Sequence, residues 1–260
     1  MVFFRHWKAL IVTVLNHFKF EYNYASFLQV FVRYIKEANR FMEMGGVINS
    51  LAPRLEDYNT SSGSMTGAYF HHDLLIAQKI YLNAPARHVD VGSRIDGFVA
   101  HVASFREITI FDIRHFEQSD HPNIKFQQVD FMDEFKIPQE VSDSVSCLNT
   151  LEHFGLGRYS DPLDILGHVK GFNNLVKMLK KDGTLYVSVP VSLHPKIHFN
   201  AHRIFDPKEI LTWAYPEHKL ELNRFDFVDD AGHLYQNIAV TEVPSTEIMG
   251  HGIYTFRKIC

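Results

Sequence analysis

The chain is poor in cysteine, in net charge and in long apolar runs. Only Cys147 and Cys260 occur among 260 residues, too few for a disulfide framework and consistent with a reducing cytosol. The formal charge is −4 with histidine neutral, which removes any bulk electrostatic case for nucleic acid. The apolar segment from Ala9 to Leu15 follows Arg5, His6 and Lys8 like a signal peptide. It is far too short to span a bilayer, and Asn16, His17 and Lys19 interrupt it with no small-residue cleavage site. It suits an amphipathic helix, packed on the domain or on a membrane surface. There is no Gly-Lys-Ser/Thr phosphate loop, no Gly-x-Ser-x-Gly elbow, no internal repeat and no low-complexity tract. A hydrophobic fraction of 46% and a charged fraction of 22% are those of a globular chain with a full core. The unusual abundances are 22 Phe and 16 His.

The chain is organised around residues 87 to 112. His88 to Val91 has the length of a buried strand, and Gly92 permits a tight turn. Ile95, Val99 and Val102, with Phe98 beside them, recur at helical spacing. Ile108 to Phe111 forms a second strand ending in Asp112, 22 residues after Asp90. Strand, glycine turn, helix, strand and terminal acid make a nucleotide-binding βαβ unit, in which Asp112 is placed to accept hydrogen bonds from both hydroxyls of a ribose. Two cofactors use this arrangement. A dinucleotide needs Gly-x-Gly-x-x-Gly so that its pyrophosphate can sit on the helix N-terminus. Here the stretch reads Gly92-Ser93-Arg94-Ile95-Asp96-Gly97, and Arg94 in place of the middle glycine crowds a diphosphate. S-adenosylmethionine carries no phosphate and asks less of the turn.

The remainder alternates. Residues 1 to 45 read as helical, with Phe27, Val30 or Phe31, Tyr34, Ile35, Ala38 and Phe41 on one face and Gly45-Gly46 as the stop. Residues 52 to 67 are a polar loop, either a lid or a linker. Helices are expected over Tyr69 to Leu82, over Leu163 to Leu179 with Ile165 and Leu166 on the buried side, and from Pro207 through Trp213. Further strands are expected at Ile124 to Val129 (ending at Asp130), Ser144 to Leu148 (ending near Asn149), Thr184 to Val189 (stopped by Pro190), Leu220 to Val228 and Ile253 to Lys258. This order implies a mainly parallel sheet. The expected division is a helical extension and loop, 1–68, and one α/β domain, 69–260.

Three stretches resemble class I S-adenosylmethionine-dependent methyltransferases: Asp90-Val-Gly-Ser, the fourth-strand segment Asp143-Ser-Val-Ser-Cys-Leu-Asn-Thr-Leu-Glu-His-Phe, and Leu179-Lys-Lys-Asp-Gly-Thr-Leu followed by Val187-Ser-Val-Pro. From about Tyr69 onward the chain also resembles an uncharacterised, mostly bacterial family of methyltransferase-like proteins catalogued as a domain of unknown function. Tyr69-Phe-His-His-Asp-Leu-Leu, Asp90-Val-Gly-Ser-Arg-Ile-Asp-Gly-Phe, Phe111-Asp-Ile-Arg, Leu151-Glu-His-Phe-Gly-Leu-Gly-Arg-Tyr and Ala201-His-Arg-Ile-Phe carry that likeness; Arg94 is then a family form. The resemblance implies a Rossmann-like α/β fold with a mainly parallel seven-stranded sheet flanked by helices. It implies S-adenosylmethionine as cofactor, with Asp90, Gly92, Ser93 and Arg94 near its methionine end, Asp112 at the ribose, Asp130 and Phe131 at the adenine, and Asn149 beside them.

Methyl transfer is an in-line displacement at a sulfonium methyl, in which the protein supplies position and electrostatics, with a general base where the acceptor is a hydroxyl. His153 and Glu152, beyond the fourth strand, are the catalytic candidates; His153 serves as a base or as an orienting group. Arg158 and Tyr159 either hold an anionic or sugar acceptor or anchor their loop. Arg94 pairs with Asp96 or with the cofactor's carboxylate. His194, His198 and His202 are spaced by four, yet Pro190 and Pro195 oppose a helix through them and no metal is expected. The expected activity is methyl transfer to a small-molecule or carbohydrate acceptor in the cytoplasm. Two rivals stand beside it: a non-catalytic cofactor-binding protein of the same fold, and a nicotinamide-dependent oxidoreductase, which the broken glycine triplet disfavours.

Overall fold

The computed structural model describes residues 24–116 and 119–259, and these fall into two compact units, one ending at Ser64 and one beginning at Met65. The expectations for residues 1–23 and for Cys260 lie outside the described residues. No described helix is long and apolar enough to cross a membrane.

The first unit is a helix, α1 (Tyr24–Glu43), followed by a 3-10 turn at Leu55–Asn59. Phe27, Val30, Phe31, Tyr34, Ile35 and Ala38 are half-buried, as their spacing predicts, whereas Phe41 is exposed and Met42 takes its place. Gly45 stops the helix at φ 92°. Arg33 and Glu37 pair one turn apart, and Tyr58 donates to Glu37 Oε2 at 2.5 Å.

The second unit is built on an eight-stranded sheet. Its elements are α2 (Ala68–Asn83), β1 (His88–Val91), a π turn (Ile95–Val99) running into α3 (Ala100–Ala103), β2 (Ile108–Asp112), β3 (Ile124–Gln128), β4 (Ser142–Leu148), α4 (Gly167–Met178) and β5 (Leu179–Val191). A hairpin of β6 (Lys196–His198) and β7 (His202–Ile204) forms a separate two-stranded sheet. β8 (Leu220–Val228), β9 (Leu234–Tyr235) and β10 (Gly250–Lys258) complete the large sheet, whose order is β3-β2-β1-β4-β5-β10-β8-β9. β3 through β5 pair in parallel, while the last strand, β10, inserts antiparallel between β5 and β8. The two-residue β9 at the edge makes the count eight rather than the expected seven.

Two apolar layers cover the faces. One holds Phe172, Leu175 and Val176 of α4 with Trp213, and the other holds Ile76 and Ile80 of α2 with Phe98 and Val102. In α2 the buried stripe is His72/Asp73, Ile76/Ala77 and Ile80, at helical spacing, while Leu74 and Tyr81 face solvent.

Among the element boundaries that differ from the sequence reading, three bear on the site. α4 starts at Gly167, not Leu163, and Ile165 and Leu166 are exposed rather than buried. The reason is local: Asp161 accepts the Gly155, Gly157 and Tyr159 amides and Asp164 accepts that of Leu166, so carboxylates hold the preceding loop. β5 passes through Pro190 to Val191. Pro190 sits on the β4 side of the strand beyond Leu148, where β4 has already ended, so its missing N–H breaks no ladder bond. The segment after Pro207 makes only a 3-10 turn, Glu209–Thr212.

Candidate functional site

Parallel strands direct their carboxyl ends to one edge of a sheet, and ligands bind there because loops diverge at the point where the strand order reverses. Here β1 lies between β2 and β4, and the ends of all three, with β3, surround one cavity. Gly92, just past β1, has φ 70° and donates its amide to Phe111 O at 2.9 Å. A Cβ at this position would run into Thr150 Cγ2. The glycine is therefore required twice, for its backbone conformation and for the approach of the β4 turn.

Asp90 does not face that cavity. It is fully buried, accepting from Ser93 N at 3.0 Å, Ser93 Oγ at 2.6 Å and Ser146 Oγ at 2.5 Å. Burial pushes its carboxyl up to about 6, against the pull of those hydrogen bonds. Asp90 and Ser93 thus tie the β1 turn to β4, and Ser93 Oγ also accepts the Leu148 amide at 3.0 Å. Arg94 points outward, 52% exposed, with its Nε 2.7 Å from Asp96 Oδ1. Asp96, one of the two partners expected for Arg94, is its ion-pair partner within the chain. Gly97 keeps its place because a Cβ there would strike the Asp73 carboxylate.

At the end of β2 the Asp112 carboxylate is buried and clamped by Arg114. Arg114 N and Nε donate to Oδ1 at 2.8 and 2.9 Å, and a terminal nitrogen donates to Oδ2 at 2.6 Å. The guanidinium also lies 4.6 Å from the centre of the Tyr159 ring. Beyond it, Phe111 and Phe131 meet edge to face at 5.7 Å and form an apolar wall, and Asp130 Oδ1 accepts the Met132 amide. The cavity among these groups measures about 60 Å³, well under the ~300–1,000 Å³ of small-molecule pockets. Arg114 and Tyr159 are both among its lining residues.

The β4 end holds the third part. Asn149, at φ 49°, links three elements: its amide nitrogen lies 3.2 Å from His72 Nε2 of α2, its Oδ1 accepts from Ser188 Oγ of β5 at 3.0 Å, and His251 Nδ1 of β10 lies 3.2 Å from the same oxygen. Tyr69 reaches this asparagine too. His72 Nδ1 lies 2.9 Å from Asp73 Oδ1, but the two are not aligned as a hydrogen bond, and both atoms are buried without one. Glu152 is buried with Oε2 unpartnered, and burial raises its carboxyl to about 8. His153 Nδ1 lies 2.7 Å from Ala201 O. A carbonyl only accepts, so Nδ1 carries the proton and Nε2 keeps its lone pair. Burial, then Arg158, lowers His153 to about 4. His153 Nε2 and Glu152 Oε1 are 3.7 Å apart, and because the two shifts run in opposite directions this is a neutral pair near pH 7, not an ion pair.

Gly92, Asp112, Asp130, Phe131, Asn149 and His153 therefore meet around one cavity, whereas Asp90, Ser93, Arg94 and Glu152 stand behind or beside it. Arg114, Thr150 and His251 were not singled out from the sequence, and His72 stood out only within His71-His72-Asp73, among the histidines that invite a metal reading. Arg114 lies in the Phe111-Asp-Ile-Arg stretch, two residues from the acid it clamps, which is a readable signal. His251 carries none. His198 and His202 face each other across the β6–β7 hairpin with ring centres 5.2 Å apart. Among the described residues no group of three or more His, Cys, Asp or Glu is placed to hold a metal ion.

A family model described as "Caenorhabditis protein of unknown function, DUF268" matches residues 106–212. The span contains Phe111-Asp-Ile-Arg, the Leu151–Tyr159 stretch and Ala201-His-Arg-Ile-Phe, but neither the Tyr69 nor the Asp90 stretch; its description gives no support to a mostly bacterial family. No curated protein matches. Among solved structures, the chain is similar to the [4+2]-cyclase SpnF, with a TM-score of 0.54 and 15% identity over 76% of this chain and 85% of that one. It also matches the N-methyltransferase NodS from Bradyrhizobium japonicum WM9 in complex with S-adenosyl-L-homocysteine, with a TM-score of 0.48 and 12% identity over 74% of this chain and 88% of that one. A third match is the 1,6-didemethyltoxoflavin-N1-methyltransferase from Burkholderia thailandensis, with a TM-score of 0.48 and 14% identity over 72% and 79%. The fold is the Rossmann-like α/β arrangement of class I methyltransferases, a mostly parallel sheet flanked by helices.

Proposed function

We propose that the chain is an S-adenosylmethionine-dependent methyltransferase acting on a small-molecule or carbohydrate acceptor in the cytosol. The observation that carries this reading is the row of strand ends: the Gly92 turn, Asp112 at the end of the neighbouring strand and the Phe111–Phe131 wall, all around one cavity. The lining residues suit a nucleoside, for which the cavity of about 60 Å³ has to open. Asp112 suits a ribose diol once Arg114 releases it, and the aromatic wall suits a purine. Arg94, the residue that breaks the glycine triplet, is half exposed, paired with Asp96 and 5.4 Å from the centre of the Tyr69 ring. The same triplet lacks the second glycine on which a dinucleotide's pyrophosphate depends.

When bound, the cofactor supplies an electrophilic methyl group on a sulfonium. The chain's own contribution is mainly position, since a well-oriented bound pair removes several kcal/mol of the barrier, up to ~7–11 in favourable cases. Ala201 O fixes the His153 tautomer, and Nε2 offers its lone pair to an acceptor hydroxyl in place of Arg158 Nη1, which lies 3.4 Å from it. With its value lowered to about 4, His153 is a weak base at pH 7, so orientation outweighs proton removal. Protonated Glu152 adds a donor beside it.

The weakness of that base favours a second reading, a cofactor-binding protein without turnover; SpnF, described as a cyclase, illustrates that the fold serves other chemistry. Turnover separates the two. The chain is incubated with methyl-labelled S-adenosylmethionine and a deproteinised small-molecule extract. Label transferred to an extract component, and lost with Asp112→Ala, supports methyl transfer. Tight binding of the cofactor with no product in any extract supports the second reading.

A further inference from the structure

The cavity's neighbour is a hairpin whose outer edge is bare. Residues 193 to 200 are all exposed, and they include Leu193, Ile197 and Phe199 at 52%, 64% and 74% exposure. A second apolar segment lies beside it: Leu163, Ile165 and Leu166 are 71%, 87% and 56% exposed. One buried side chain joins the two. Ile197 of β6 pairs with Arg203 of β7, and the Arg203 guanidinium donates to Phe154 O at 2.6 Å and approaches Asp164 O and Ile165 O at 3.3 and 3.4 Å. The hairpin and the loop therefore present six large exposed apolar side chains on neighbouring segments. Soluble proteins scatter such residues singly, and a cluster of this kind marks an interaction surface.

Charge indicates what covers it. The chain as a whole is acidic, at −4, yet no Asp or Glu stands between Asp182 and Asp206. Within that interval His194, Lys196 and His198 are exposed on the hairpin, and Arg158 lies against its Ala201 carbonyl at 2.9 Å. The nearby loop carboxylates are already engaged, Asp164 with Lys170 at 2.5 Å and Asp161 with three backbone amides. Aliphatic and aromatic side chains flanked by Lys196 and Arg158, with Asp164 paired to Lys170, match the boundary between headgroups and acyl chains of an anionic bilayer.

We propose that the β6–β7 hairpin and the 163–166 loop dock this protein on an anionic lipid surface. The geometry gives the docking a consequence. Ala201, in the turn of the hairpin, holds His153 through its carbonyl, and His153 lines the cavity, so docking of the hairpin bears directly on a wall of the site. The proposal stands on the exposed face alone and does not require the cofactor assignment.

The test is co-sedimentation of the full chain with vesicles of phosphatidylcholine alone and of equimolar phosphatidylcholine and phosphatidylserine. The expected result is binding to the anionic vesicles, weakened by salt, and little binding to the neutral ones. Ile197→Asp with Phe199→Asp is expected to reduce binding about tenfold or more, with an unchanged thermal melt because both residues are exposed. Leu163→Asp with Ile165→Asp, on the other segment, is expected to do the same and serves if the hairpin variant fails to fold. Absence of binding to anionic vesicles at low salt overturns the proposal. So does binding that survives both pairs of substitutions, as it would if residues 1–23 carried it. A dimer in gel filtration that the substitutions dissociate, without vesicle binding, assigns the face to a second copy and also overturns it.

Discussion

Asp112 and Arg114 give expectations of opposite sign for one pocket. With both carboxylate oxygens held by Arg114, a ligand diol has to displace a charge-assisted clamp before it binds. Asp112→Ala should weaken S-adenosylmethionine by about 1.5–3 kcal/mol, the value of hydrogen bonds to a charged group. Arg114→Ala should tighten it, because the acid is then free and the cavity larger. Titration calorimetry on the two variants checks both signs, and weakening by Arg114→Ala would make the arginine a ligand contact instead. Glu152 sets a pH expectation. Its value near 8 in the folded chain, against an ordinary 4.5, means that the native state keeps a proton which the unfolded chain releases. The stability this contributes is complete below about 4.5 and is lost as pH rises through 8. Asp90, raised to about 6, acts in the same direction. His153, lowered from 6.5 to about 4, acts in the other, its contribution being lost as pH falls through that window. Glu152→Gln should therefore flatten the alkaline decline of the melting temperature and leave the acid limb unchanged. Thermal melts across the range test this, and parallel curves for the two proteins would place Glu152 at an ordinary value.

At the scale of elements, the turn between β1 and α3 makes the sharpest expectation. Gly92→Ala combines a left-handed backbone with a collision against Thr150 Cγ2. It should cost more than ~1 kcal/mol in urea denaturation. Adding Thr150→Ser removes the colliding methyl and should recover the steric part while leaving the backbone part. Full recovery would mean that the conformation costs nothing. His88–Val91, a buried parallel strand, was readable as a short apolar run, and it and the antiparallel Leu220–Val228 have the bounds the sequence suggested. α4 was overextended because Leu163, Ile165 and Leu166 continue its apolar spacing into a loop that Asp161 and Asp164 hold open. Periodicity reports which residues are apolar, not which are covered. Gly92, Asp112 and Asn149 were legible since strand ends mark ligand sites in this topology. The polar cluster behind Asn149 was not, because His72 and His251 stand 77 and 102 residues from it in sequence and meet it only through tertiary packing.

For the molecule as a whole, the sheet decides what a cofactor meets. The reversal of strand order at β1 opens the crevice, and the antiparallel insertion of β10 brings His251 to the wall beside Asn149. The turn glycine and the acid at the end of β2 serve either cofactor. What favours S-adenosylmethionine over a dinucleotide is the absent second glycine, which a pyrophosphate needs. The central claim is thus a choice between two ligands, and calorimetric titration of the full chain with S-adenosylmethionine, S-adenosylhomocysteine and NAD measures it directly. Saturable binding of the first two at one site per chain, with no heat from NAD, is the predicted result. Binding of NAD with none of S-adenosylmethionine would contradict it.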